Sequence, residues 1–293
     1  MKKQLYHILG LLAVGVMIVL LWFFWPSNKE TAPKVAHSNH KQVTSTQNEV
    51  KSYPVTLFFH GYGGTKHSMG GMIQRLSSRY QATHTLDLTV NTDGTIQTSG
   101  TFEQADKPVL INVLFADNKN NEWNQAEWIY QALQFVKAQY HVEKVNVVGH
   151  SMGGVSLFRF LETYQNQGEL PTVEHFISIA APLNEFLDTS NEQSVDGLLQ
   201  QGPTQISPRY QDFQNNIANF PKNVQVSLFA GQLSASDLSD GTVPLTSALA
   251  VNQLLSSQQI PVETFVFKGV LAQHSALHAN PKVDKRIAEI LWK

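Results

Sequence analysis

From residue 53 to the end of the chain, short apolar runs of strand length alternate with longer stretches of helical periodicity. No other feature constrains the fold as strongly. The alternation requires βαβ units, and hence a mainly parallel sheet whose neighbouring strands are joined by helical crossovers. Strands are read at residues 55–60, 83–90, 109–115, 144–148, 175–180, 224–230 and 262–267. Helices are read at residues 68–80, 121–140, 152–165, 244–257 and 281–292. Residues 91–103, NTDGTIQTSGTFE, place turn signals around an alternating run and add a hairpin. No internal repeat is present. The 241 residues 53–293 suit one α/β domain. The stretch at about 183–223 lacks a clear strand signal and is too long for a plain connection, so it is read as a small, partly helical cap insertion.

The start of the chain follows different rules. Residues 8–25, ILGLLAVGVMIVLLWFFW, carry no charge and follow Lys2 and Lys3. As a helix these 18 residues reach about 27 Å, close to the roughly 30 Å of a bilayer's hydrocarbon core. Residues 1–26 are therefore expected to form a membrane anchor, with its lysines on the cytoplasmic side and Trp22 to Trp25 at the far interface. No A-x-A-like cleavage site follows, which favours a retained anchor over a cleaved signal peptide. Residues 27–52 are polar and aperiodic, the composition of a tether. His37 and His40 within it are solvent polar residues rather than a metal pair. Everything beyond is expected outside the cytoplasm, at the cell surface.

Composition narrows the chemistry. The chain has 21 Lys plus Arg and 23 Asp plus Glu; six of the basic and two of the acidic residues precede residue 52, leaving the remainder at −6. That balance offers no basic footprint for nucleic acid. Cysteine is absent, so disulfides, thiol nucleophiles, Cys-bound zinc and iron–sulfur clusters are excluded. Catalysis must then rest on Ser, His and carboxylates.

The apolar run at 144–148 leads into Gly149-His150-Ser151-Met152-Gly153-Gly154 and then into the helical pattern VSLFRFLETY. This is G-x-S-x-G in a strand, sharp turn, helix context, which exposes a serine at a helix N-terminus. A plain glycine-rich βα turn is the bland alternative. The run at 55–60 ends in His60-Gly61-Tyr62-Gly63-Gly64. Acyl transfer needs two N–H donors at the developing oxyanion, and Met152 and Tyr62 are the candidates. A phosphate loop is disfavoured, because neither G-x-x-x-x-G-K-[ST] nor G-x-G-x-x-G occurs there.

With a nucleophile of this kind the acid and then the base follow in chain order. After the run at 224–230, Asp237 and Asp240 are available. Asp240 is preferred, since Asp240-Gly241 precedes Thr242-Val243-Pro244, where a helix can begin; Asp237 reads as a turn or capping residue. After the run at 262–267, His274 lies five residues beyond Gly269 and is preferred as the base over His278, which stands three before Pro281. No metal is expected, because His60, His67, His84 and His150 show no ligand spacing such as H-E-x-x-H.

Together, His60-Gly-Tyr-Gly-Gly-Thr65, Gly149-His-Ser-Met-Gly-Gly154, Asp240-Gly-Thr-Val-Pro244 and His274-Ser-Ala-Leu-His-Ala-Asn-Pro281 resemble the motifs of the cell-surface α/β-hydrolases of Gram-positive bacteria, long catalogued as a domain of unknown function. The resemblance covers essentially all of residues 53–293. It implies an α/β-hydrolase fold and a Ser151-His274-Asp240 hydrolase that needs no cofactor. The expected partners are a small-molecule or lipid-like ester and the membrane, with no nucleic acid. A non-catalytic surface binding protein on the same fold, and a peptidase or acyltransferase with the same three residues, are the other readings.

Overall fold

A computed structural model of the chain describes residues 53–104 and 106–292. In chain order the elements are β1 (Val55–Phe59), α1 (Lys66–Tyr80), β2 (Thr83–Val90), β3 (Ile96–Gly100), β4 (Val109–Phe115), α2 (Glu122–Tyr140), β5 (Lys144–His150) and α3 (Met152–Thr163). There follow β6 (Thr172–Ile179), β7 (Leu183–Phe186), α4 (Val195–Gln201), α5 (Pro208–Asn216), β8 (Gln225–Gln232), α6 (Leu245–Ala248), α7 (Asn252–Ser257), β9 (Val262–Lys268) and α8 (Pro281–Leu291). Eight strands form one sheet in the order β3-β2-β4-β1-β5-β6-β8-β9. Every neighbouring pair is parallel except β2 and β3, whose antiparallel pairing is the expected hairpin.

Because the crossovers place helices on both faces, the central strands β1, β4 and β5 are buried on both sides along nearly their whole length and are rich in Val, Ile, Leu and Phe. All five residues of β1 are buried. The sheet separates two apolar cores. One holds Leu57, Val147, Ile129 of α2 and Phe158 of α3. The other holds Phe58, Val148, Met72 of α1 and Ile287 of α8. Helix starts follow local chemistry. Thr65 and Ser68 form a capping box ahead of α1, Asn121 accepts from the first turn of α2, and Asn280 caps α8 with Pro281 at its first position.

The single helix expected at 244–257 is two short ones, α6 and α7, broken at Leu249–Val251. Ala248, Leu249, Ala250 and Val251 are all buried.

The segment read as a cap carries β7, α4, α5 and a 3₁₀ turn, and it is rooted in the main core. Phe213 of α5 and Phe220 lie 4.5 and 5.0 Å, ring to ring, from Phe158 of α3. Among the described residues no helix is long and apolar enough to cross a membrane. The anchor read at residues 1–26 and the tether at 27–52 lie outside the described residues.

Candidate active site

Strand β5 ends at His150 and α3 begins at Met152, so Ser151 alone makes the reversal. It does so at φ 54° and ψ −125°, backbone angles that a residue with a side chain rarely adopts. The turn needs unusual room. A Cβ on Gly149 would stand 2.6 Å from the nitrogen of Gly154, and one on Gly153 would stand 2.5 Å from the carbonyl oxygen of His60. Two glycines therefore let α3 drop onto the ends of β1 and β5. The Ser151 N–H donates to the Ile179 carbonyl at 2.8 Å, which ties the turn to β6.

Ser151 Oγ lies 3.0 Å from His274 Nε2, and His274 Nδ1 lies 2.8 Å from Asp240 Oδ2. Asp240 is buried, and its Oδ1 accepts from the N–H groups of Thr242 at 2.9 Å and Val243 at 2.6 Å. A carboxylate so placed can only accept from the ring, which puts the imidazole proton on Nδ1 and leaves Nε2 free to take one from Ser151. His274 also donates its own N–H to the Asp240 carbonyl at 2.9 Å.

Of the alternatives weighed from the sequence, the structure brings Asp240 and His274 to the serine. Asp237 instead accepts from the N–H and hydroxyl of Ser239 and shapes a turn. His278 packs edge-on against His150, with ring centroids 5.0 Å apart. Burial lowers the pKa of His278.

The loop after β1 faces the same serine. A Cβ on Gly61 would lie 2.8 Å from the Cβ of Ser151, so the glycine is what allows this approach. Among the described residues neither Tyr62 N–H nor Met152 N–H has a hydrogen-bond partner. For Met152 this follows from its place at the start of a helix. The loop is held by residues that its own sequence does not announce. His60 accepts the Phe115 N–H on Nε2 at 3.2 Å, and its Nδ1 donates to the Gly61 carbonyl at 2.8 Å. Burial lowers its pKa, opposed by that hydrogen bond. Asn118 receives the Gly63 N–H on its carbonyl and donates its side-chain amide to the Gly64 carbonyl, both at 2.7 Å.

Four large apolar side chains on segments that follow sheet strands are exposed. Tyr62, Phe186, Val270 and Leu271 lie on segments that follow β1, β6 and β9, beyond the strand ends where Ser151 sits. Among the described residues no three of His, Asp or Glu are grouped so as to hold a metal ion.

The sequence profile described as an alpha/beta hydrolase of unknown function, DUF915, matches residues 42–293. The chain belongs to this family. Two solved structures resemble the DUF915 chain over the same fold. The product of the gene lin2722 from Listeria innocua is 27% identical, with a TM-score of 0.75, over 82% of this chain and 94% of that one. The putative cell surface hydrolase from Lactobacillus plantarum WCFS1 is 24% identical, with a TM-score of 0.63, over 82% of this chain and 90% of that one. No curated protein matches the DUF915 chain.

Proposed function

We propose that this DUF915 hydrolase is a membrane-tethered, extracytoplasmic serine hydrolase that cleaves carboxylic esters. The observation that carries the reading is the run Asp240 to His274 to Ser151, with hydrogen bonds of 2.8 and 3.0 Å ending on a serine in a strained turn. Ser151 Oγ attacks the ester carbonyl while His274 Nε2 takes its proton. The carbonyl oxygen becomes an oxyanion held by the N–H groups of Met152 and Tyr62. Collapse breaks the bond to the alcohol, which leaves with the proton from His274, and the acyl group stays on Ser151. Water then repeats the sequence and releases the acid. Asp240 holds the ring and stabilises the imidazolium.

The exposed apolar side chains Tyr62, Phe186, Val270 and Leu271, on segments that follow the strand ends near Ser151, favour an ester with an apolar acyl or alcohol part. The tether rests on the uncharged run at residues 8–25, and the surface location on that run together with the name of the Lactobacillus neighbour.

The reading is tested with the full-length chain and a fluorophosphonate probe alongside short-chain nitrophenyl esters. Wild type should take one label and turn over the esters, and Ser151→Ala should do neither while keeping its circular dichroism spectrum. A folded wild type that is inert in both assays overturns the reading. Fractionation of cells expressing the chain with and without residues 1–26 tests the tether, which fails if both forms are soluble.

A further inference from the structure

The residue before the nucleophile is a histidine that the chemistry above leaves unused. His150 is buried at the end of β5, and its Nε2 lies 3.0 Å from the main-chain carbonyl oxygen of His274. A carbonyl only accepts, so Nε2 carries the proton and donates it. The His274 main chain is thus held on both sides, its N–H by the Asp240 carbonyl and its C=O by the His150 ring. Two consecutive residues of one strand end therefore grip the base, Ser151 by its ring and His150 by its backbone.

We infer that His150 is a positioning residue, whose Nε2–H fixes the His274 main chain so that the His274 ring meets Ser151 in register. This rests on the serine-hydrolase reading. The need for such a grip follows from where His274 sits, in a 3₁₀ run at residues 274–279 that follows the edge strand β9. Loops are less rigid than central strands, and a base must be held within about 0.5 Å of its productive place. β5, at the middle of the sheet, supplies that rigidity.

The surroundings suit a permanently neutral ring. The rings of His274 and His278 lie 4.8 and 5.0 Å away, and His60 faces it from the end of β1. Behind His278, Arg75 of α1 donates to the His278 carbonyl and is paired with Asp284 of α8, while Asp240 lies beyond His274. Burial, reinforced by His274, His278 and His60, pushes the His150 pKa down to about 3. A neutral neighbour adds no repulsion when His274 becomes an imidazolium. It also keeps one tautomer through the cycle.

Glutamine and phenylalanine separate this role from simple packing. Gln places an amide N–H at the same branch of the side chain as Nε2, whereas Phe keeps the ring and loses the donor. In the full-length protein, His150→Phe should lower kcat about 100-fold with KM within about twofold, the scale on which small misplacement of a catalytic group is felt. His150→Gln should recover most of that loss. The low-field proton resonance of the His274 Nδ1–H, read by NMR without any substrate, should persist in wild type and His150→Gln and broaden or vanish in His150→Phe. Equal kcat and equal spectra for the Phe and Gln variants overturn the inference, whether both match wild type or both fall. If the Phe variant does not fold, Asn, whose donor is one bond short, replaces it, and equality of Asn and Gln is the overturning result. A wild type that is inert to the fluorophosphonate probe but shows the resonance pattern counts against the serine-hydrolase reading and leaves the grip intact.

Discussion

Gly61 and Ser151 touch across the gap between two strand ends: a Cβ on Gly61 would stand 2.8 Å from the Cβ of Ser151 and 3.1 Å from the His150 carbonyl oxygen. Neither neighbour can yield cheaply. Ser151 holds a strained turn pinned to β6, and the His150 carbonyl is main chain. Gly61→Ala should therefore displace the serine or the Tyr62 loop and lower kcat/KM by about 100-fold or more, with a circular dichroism spectrum like that of wild type. Slower fluorophosphonate labelling at unchanged final stoichiometry is the expected signature. Wild-type labelling kinetics would show that the loop has room to spare.

Asp240 accepts on both oxygens, one from main-chain N–H groups and one from His274. In Asp240→Asn the amide oxygen keeps the N–H groups of Thr242 and Val243, which turns the NH₂ toward His274. The ring must then accept on Nδ1 and carry its proton on Nε2, where it can no longer take one from Ser151. A fall in kcat of about 10⁴ is expected. Asp237→Asn should stay within about threefold of wild type, since it disturbs only the turn at Ser239. If the two variants fall alike, Asp240 does not hold the base.

How much of this was legible in the sequence depends on how local the signal is. The Ser151 turn is written in adjacent residues, an apolar run, glycines at fixed offsets and a helical pattern, and the structure places strand, turn and helix there. The loop at Gly61 to Gly64 is equally local. Asp240 and His274 could be ranked above Asp237 and His278 by position, but the sequence carries no sign of where a loop side chain points, and only the geometry brings one of each to Ser151. The roles of Asn118 and His150 were illegible, because their partners lie 54 and 124 residues away. The break at Leu249–Val251 was hidden for a different reason. Apolar periodicity runs through it, and neither proline nor glycine marks the interruption.

Glu162 of α3 is buried near Arg159 and Asp212, and its Oε1 has no hydrogen-bond partner. Burial first, with Asp212 adding and Arg159 opposing, pushes its pKa up to about 9. The folded state thus holds a proton that the unfolded chain releases near its ordinary value of 4.5. Stability contributed by that proton is present below the unfolded value and drains away as pH rises toward about 9. Glu162→Gln removes the dependence. Its Tm should match wild type near pH 4.5 and exceed it by at least about 3 °C at pH 8, the shift that about 1 kcal/mol gives at this size. A constant Tm difference across that range would mean that Glu162 is ionised in the fold.

Arg209 of α5 ties the inserted segment to the main body. Its Nε and Nη2 donate to both oxygens of Glu122 at 2.5 to 3.0 Å, and its Nη1 donates to the Pro182 carbonyl at 2.8 Å. Arg159, which also pairs with Asp212, reaches the same carboxylate at 2.8 Å. Burial by itself would raise the Glu122 pKa, but the hydrogen bonds and charges of Arg209 and Arg159 outweigh it and hold the group below its ordinary value. Stability from such a group is present above the unfolded value and is lost as pH falls through the folded one. Arg209→Met keeps the length of the side chain and leaves Glu122 with Arg159 alone, at a cost of about 3 kcal/mol for a partly buried pair broken from one side. Urea unfolding should show that loss at pH 7 and a smaller one at pH 3.5, below the ordinary value of 4.5, where proton uptake by the unfolded chain already offsets part of what the pair contributes. Because Pro182 is two residues beyond Ala180, whose N–H is bound to β8, the release should also raise proteolytic cleavage within residues 183–223 before global unfolding. A destabilisation of the same size at both pH values would locate the effect in packing rather than in the ion pair.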